Sequence, residues 1–193
     1  MKALEAVASF VKNPPASEAD LAKLRAVLPG PPPDDWIAIL RAMDGGEGYV
    51  GEDFVRLYSI AQILQVKETL APVEVADLWL VGSTGGGTAY AFDYRGGGAA
   101  RFASVDFIPL IDERVMPMGP SLTHHFASLR ASADDLLAGS QLPAELHGKE
   151  IHEVQPVAFG GDPTDEKNKT WLALDDYLQQ VLFWNRTYRD AHQ

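Results

Sequence analysis

Apolar residues fall in short bursts separated by proline, glycine and acidic positions, and the spacing within each burst predicts an element. Leu4, Val7 and Val11 recur at helical intervals until Asn13, Pro14 and Pro15 stop them. Ser17 followed by Glu18 and Asp20 predicts a capped helix with the stripe Leu21, Leu24 and Leu28, ended by Pro29 and Gly30. Beyond a stiff proline run at 31–33, Asp34 or Asp35 stands where it would cap a third helix carrying Trp36, Ile39, Leu40 and Met43 inward. Asp44, Gly45 and Gly46 terminate that helix. Residues 54–58 read as a strand, and Ser59 with Gln62 forms a capping-box signal for a helix bearing Ile60, Ile63 and Leu64 that fades near Leu70 and Pro72.

Strand-like patterns follow. Residues 78–81 are continuously apolar and residues 88–93 alternate in size across a glycine cluster, which predicts two paired strands. A turn at 96–98 leads to a strand over 100–105 that residues 107–111 extend after a break. Ser121 then opens a helix with Leu122, Phe126, Leu129, Leu136 and Leu137 on one side, closed by Gly139. The tail carries a strand-like 151–159, a turn at Gly160, Gly161 and Pro163, and a final helix over 173–191 with an apolar face of Leu174, Tyr177, Leu178, Val181, Leu182 and Tyr188. Helices flank a run of strands instead of alternating with them, so the expected class is α+β, a mixed or antiparallel sheet flanked by helices. Residues 1–140 form the expected main domain, and residues 141–193 a strand-turn-helix extension packed on it.

Charge and composition narrow the function. The chain has 193 residues, 16 basic and 27 acidic, for a formal charge of −11. Eleven basic and eighteen acidic residues lie up to Ser140, and five and nine beyond it, so the acidity is not confined to a tail. Such a field repels phosphate backbones and anionic lipid and attracts basic surfaces, which argues against direct nucleic-acid binding. Cysteine is absent, in keeping with a reducing compartment. No stretch approaches the roughly 20 apolar residues a membrane helix requires, and residues 1–11 lack the pattern of a signal peptide. The expectation is a cytoplasmic protein that does not enter membranes.

Candidate chemistry is sparse. The glycine-rich stretch 82–88 lacks the lysine and following helix of a phosphate-binding loop, so its glycines are expected to serve a hairpin turn. Neither Ser83 nor Ser121 lies in a nucleophile-elbow pattern. Adjacent His124 and His125 point about 100° apart on a helix and form no one-sided metal pair. The richest group is His147, Glu150, His152 and Glu153, followed by Asp162, Asp165 and Asn168, whose imidazoles and carboxylates near a tight turn have the donor chemistry of a divalent metal site.

Pro33, Asp34, Asp35 and Trp36 leading to Met43, Asp44, Gly45, Gly46 and Glu47 form one block. Leu57 to Ile60 form a second, and Leu80 to Thr88 with Tyr90, Phe92 and Asp93 a third. Their order resembles the SUKH superfamily, which includes the Smi/Knr cell-wall-synthesis regulators, over roughly residues 21–137. The resemblance implies an α+β fold without an enzymatic site or cofactor, and a role as an immunity protein that neutralises a bacterial toxin, often a nuclease. The expected partner is thus a protein, a basic toxin domain, with Asp44, Glu47, Glu52, Asp53, Tyr90 and Asp93 as contact candidates near predicted loops. The tail is similar to an HNH-type nuclease ββα unit, with Glu153 in place of a second histidine and Tyr177 in place of the last. That likeness implies an alternative, a metal-dependent nuclease using His152, Glu153 and Asn168. A regulatory scaffold in a secretion or cell-wall assembly is a third reading.

Overall fold

The predicted caps set the helical register. In the computed structural model, which describes residues 3–73, 75–131 and 142–192, a short α1 (Ala3–Ala6) and a two-residue β1 (Val11–Lys12) precede α2 (Glu18–Val27). The Ser17 side chain accepts a hydrogen bond from Asp20 N and so satisfies one of the orphan donors of α2. Helix α3 (Asp34–Ala42) starts after Pro33 with no side-chain cap; Asp35 instead accepts from Trp36 N and, through its other oxygen, from Thr123 N. Strands β2 (Gly46–Val50) and β3 (Asp53–Leu57) form a hairpin. Next comes α4 (Ile60–Leu70), whose capping box between Ser59 and Gln62 is complete in both directions.

The sheet then continues through β4 (Leu78–Ser83), β5 (Thr88–Asp93), β6 (Arg101–Asp106) and β7 (Met116–Gly119), followed by α5 (Leu122–Ala131). Strands β1 to β7 make one seven-stranded antiparallel sheet in sequence order. The tail holds β8 (Lys149–Glu153) and β9 (Lys169–Ala173), paired antiparallel as a second sheet, and α6 (Leu174–Ala191). The class is α+β. No helix among the described residues is long and apolar enough to cross a membrane.

Several expectations are corrected. The first helix is shorter than its apolar spacing implied: Val7 is buried, but Val11 turns into the edge strand that pairs with Glu47. Gly46 ends no helix passively; it begins β2, a strand hidden by its own glycines. Residues 107–111 do not extend β6, because the chain turns after Asp106 and its Phe107 and Leu110 backbone groups bond to Asn185 of α6 instead of to a strand. The tail is a strand, a long turn, a second strand and a helix, since residues 169–173 pair with β8. Leu136, Leu137, Gly139 and the 140/141 boundary lie outside the described residues. The glycine turn is a hairpin as expected, with Gly85 and Gly87 at positive φ of 75° and 94° between β4 and β5.

Sheet and tail share one apolar core. Trp36 of α3 packs on Phe92 at 4.7 Å between ring centroids, and His125 of α5 lies against Tyr90 and Phe102. Tyr177 of α6 meets Phe107 edge to face at 5.2 Å, and Leu174, Leu178 and Val181 belong to the same buried cluster as the sheet. Asn185, 1% exposed, threads α6 to the turn after β6. Its Nδ2 donates to Phe107 O and its Oδ1 accepts from Leu110 N.

Candidate functional site

An isolated arginine in an apolar strand must find a charge partner, and Arg56 of β3 is such a residue. It is 4% exposed, and its Nε donates to Glu47 Oε2 at 2.7 Å while Nη1 stands 2.9 Å from Glu150 Oε1. Burial pulls the Arg56 pKa down, but the Glu150 and Glu47 carboxylates more than offset that and leave it raised. Glu150, 1% exposed, also accepts from Tyr58 Oη at 3.1 Å and from Ser83 Oγ at 2.9 Å on both oxygens. Glu47 in turn accepts from Gly148 N at 3.2 Å. Each glutamate therefore bridges the main sheet and the tail, so the cluster fastens the two together. Arg56 Nη2 is buried with no partner among the described residues.

The junction leaves a cleft of about 490 Å³ between the Gly86–Gly87 turn, the segment after β6, and the tail hairpin. Asp106, His152, Glu153, Lys169 and Tyr177 present its polar groups, and Phe107, Ile108 and Val157 contribute apolar wall. Strand β8 inverts the usual alternation: Glu150 and His152 are buried, and Ile151 is half-buried. His152, 6% exposed, has no hydrogen-bond partner among the described residues and meets the Tyr177 ring edge to face at 6.1 Å. Burial lowers the His152 pKa, so the imidazole is neutral near pH 7. The Tyr177 hydroxyl is likewise unpartnered among the described residues. Burial, with Glu150 and Glu153 nearby, pushes its pKa far up and keeps it protonated. Lys169 pairs with Glu166 at 2.9 Å, and Asp106 stands 3.7 Å from Arg114, its one ion-pair partner among the described residues.

The residues expected to meet a partner are scattered, and several serve the fold. Glu47 belongs to the buried cluster. Tyr90 is 3% exposed and stacked on Phe102 at 5.6 Å, so it is a core aromatic and not a surface anchor. Asp93, 9% exposed, is clasped by Arg95 through Nε and Nη2 at 2.9 and 3.0 Å, which holds its carboxyl below the usual range. Asp44 accepts from Ile60 N at 2.8 Å and supports the start of α4. Glu52 and Asp53 stay exposed at the β2–β3 turn, with no ion-pair partner among the described residues.

The proposed metal ligands do not gather. Asn168 spans the tail loop, accepting from Gln155 N and donating to the Gln155 and Asp162 carbonyls, and Glu153 accepts from Val157 N. Among the described residues no group of three or more His, Asp or Glu side chains is placed to hold a metal ion. Sequence reasoning missed Arg56, Tyr58, Ser83 and Asp106. The one available signal was a lone arginine within the apolar strand 54–58.

No family model matches the chain, and no curated protein matches it. Sixteen chains of solved structures do match. Among them is the crystal structure of Atu4351 from Agrobacterium tumefaciens, 12% identical, with a TM-score of 0.55 over 92% of this chain and 86% of that one. At that identity the likeness speaks to the fold alone.

Proposed function

We propose that this chain is a SUKH-like, non-catalytic protein-binding module, an immunity protein that neutralises a basic bacterial toxin domain such as a nuclease within the cytoplasm. The observation that carries the reading is unneutralised carboxylate at the surface. The formal charge is −11, and cations such as Arg41, Arg95 and Lys169 are already engaged by neighbouring acids. Glu52 and Asp53 project from the β2–β3 turn without such partners among the described residues. An anionic surface of this kind speeds encounter with a cationic protein and competes for the surface that would bind phosphate. The test is isothermal titration of the purified chain with the protein encoded next to it, together with co-expression in a host sensitive to that protein. Binding with protection supports the reading; a neighbour that is neither toxic nor bound removes it.

A second reading, the metal-dependent nuclease, draws on the ββα order of the tail and on His152 in the cleft. Tyr177, buried and held protonated, is a poor ligand where that motif has its last histidine. Incubation with DNA or RNA and magnesium, manganese or zinc distinguishes the two. Cleavage that disappears in His152→Ala would establish an enzyme. A regulatory scaffold would instead bind a stable, non-toxic neighbour.

A further inference from the structure

The cleft between sheet and tail holds two carboxylates, and its neutral groups, the His152 imidazole and the Tyr177 and Thr88 hydroxyls, can each accept as well as donate. Asp106 and Glu153 bring carboxylates, of which Glu153 uses one oxygen for Val157 N. The neutral His152 imidazole has an acceptor nitrogen, the Tyr177 oxygen can accept, and neither has a partner among the described residues although both side chains are more than nine-tenths buried. The cation of the lining, Lys169, is held by Glu166. An anionic ligand would meet two carboxylates with no free positive charge opposite. An apolar ligand would leave the buried imidazole and hydroxyl unsatisfied. A ligand that donates several hydrogen bonds, carries positive charge and has an apolar stem matches the carboxylates and the acceptor side of the neutral groups: Phe107, Ile108 and Val157 line the stem, and the four acceptors meet the head.

We infer that this cleft receives an arginine side chain presented by the protein partner, an inference that rests on the partner-binding reading above. Guanidinium fits better than ammonium because its planar fork of donors can meet carboxylate, imidazole and hydroxyl acceptors together. Val157 of that wall is 53% exposed and gives the partner's surrounding surface an apolar contact.

Nα-acetyl-arginine amide, titrated into the full chain and followed by the ring C–H resonances of His152, tests the site directly, with His124 on α5 as internal control. Saturable shifts at His152 with a Kd of about 1–10 mM are expected, as befits one side chain without its surrounding interface. The neutral isostere Nα-acetyl-citrulline amide should produce none. The double variant Asp106→Asn/Glu153→Gln should weaken arginine binding about tenfold or more while its thermal unfolding stays that of the parent. Absence of a His152 shift at about 100 mM probe, an equal response to citrulline, or full binding by the double variant would each overturn the cation site.

Titration with the neighbouring gene product separates this inference from the one it rests on. If that protein binds the parent and the double variant equally, the cleft is not its seat and the present inference falls alone. If it binds neither while the arginine probe still shifts His152, the cation site stands and the partner reading falls.

Discussion

Removing Glu150 should loosen the tail from the sheet at a cost that can be worked from its contacts. Glu150→Ala leaves Arg56 buried with Glu47 alone and deprives the Tyr58 and Ser83 hydroxyls of their acceptor. Breaking one side of a buried ion pair costs about 3–5 kcal/mol, and each orphaned hydroxyl about 1–3 kcal/mol if taken alone. These effects overlap, since the cavity admits relaxation and Glu47 still neutralises the guanidinium, so about 3–5 kcal/mol is expected in total. For a chain of this length, that lowers the melting temperature by roughly 6–20 °C. Glu150→Gln keeps an acceptor oxygen for the two hydroxyls but turns an uncharged amide toward Arg56, and should fall between the parent and Glu150→Ala. Urea unfolding followed by circular dichroism and tryptophan fluorescence gives the numbers, and limited proteolysis of the tail shows which part opens first. Glu145, exposed in the loop before β8, supplies the control as Glu145→Ala. A loss below about 1 kcal/mol in Glu150→Ala would refute the claim that this cluster fastens the tail.

Three further outcomes follow from the same geometry. Gly82→Ala should cost about 3 kcal/mol or prevent folding, because a Cβ there would stand 2.2 Å from the Arg56 carbonyl oxygen where β3 meets β4; chemical denaturation that matches the parent would contradict this. Asn185→Leu should cost about 2–4 kcal/mol by leaving Leu110 N and Phe107 O buried without partners, measured by the urea midpoint. Stability should also fall on mild acidification. Burial lowers the pKa of His125 and His152 in the folded chain, while unfolded imidazoles take up protons near pH 6.5, so the unfolded state binds more protons as pH drops. The stabilisation is complete well above pH 6.5 and is lost as pH falls through 6.5 toward the lower folded values. Urea midpoints measured from about pH 8 to 5.5 should show this decline, and it should flatten in His125→Asn; an unchanged profile in that variant would assign the effect elsewhere.

Elements with strong local chemistry were legible in the sequence. The caps at Ser17 and Ser59 and the apolar stripes of α2, α3, α4 and α6 satisfy backbone donors and bury apolar area by rules that act within a few residues. Strands β2 and β7 were not legible, because Gly46 and Gly48 in one and Met116, Pro117 and Gly119 in the other carry little strand propensity and are held by their neighbours' ladders. Gly48 is where Phe10 approaches, with its Cδ1 2.8 Å from where a Cβ would stand. The candidate site was harder still. Strand β8 reads as a polar segment with one isoleucine, so alternation directs Ile151 inward, whereas the structure buries Glu150 and His152. Only knowledge that Arg56 lies opposite, 94 residues away in sequence, reverses that assignment. Tyr90 misled in the other direction: an aromatic beside a glycine turn looked like an exposed anchor, and its ring packs against both Phe102 and His125.

The charge cluster and the cleft depend on one another. A two-stranded hairpin such as β8–β9 is marginal alone in water, so its position must come from what it docks against. Ile151 N donates to Gly85 O in the glycine turn, Glu150 enters the Arg56 cluster, and α6 anchors the far end through Asn185 and through Arg189, which donates to the Pro72 and Val73 carbonyls. These attachments hold the hairpin on both sides of the opening at His152, so the cleft is a gap with fixed walls instead of a flexible crevice. Preorganised acceptors require less ordering when a ligand arrives, and their affinity for a guanidinium gains accordingly. Glu150→Gln therefore has a second consequence beyond stability. Although Glu150 is absent from the cleft lining, loosening its strand should weaken arginine binding at His152, whereas a mutation at Glu52, which is likewise absent from that lining but anchors no strand of it, should leave most of that binding intact and chiefly alter the rate of encounter with a basic partner.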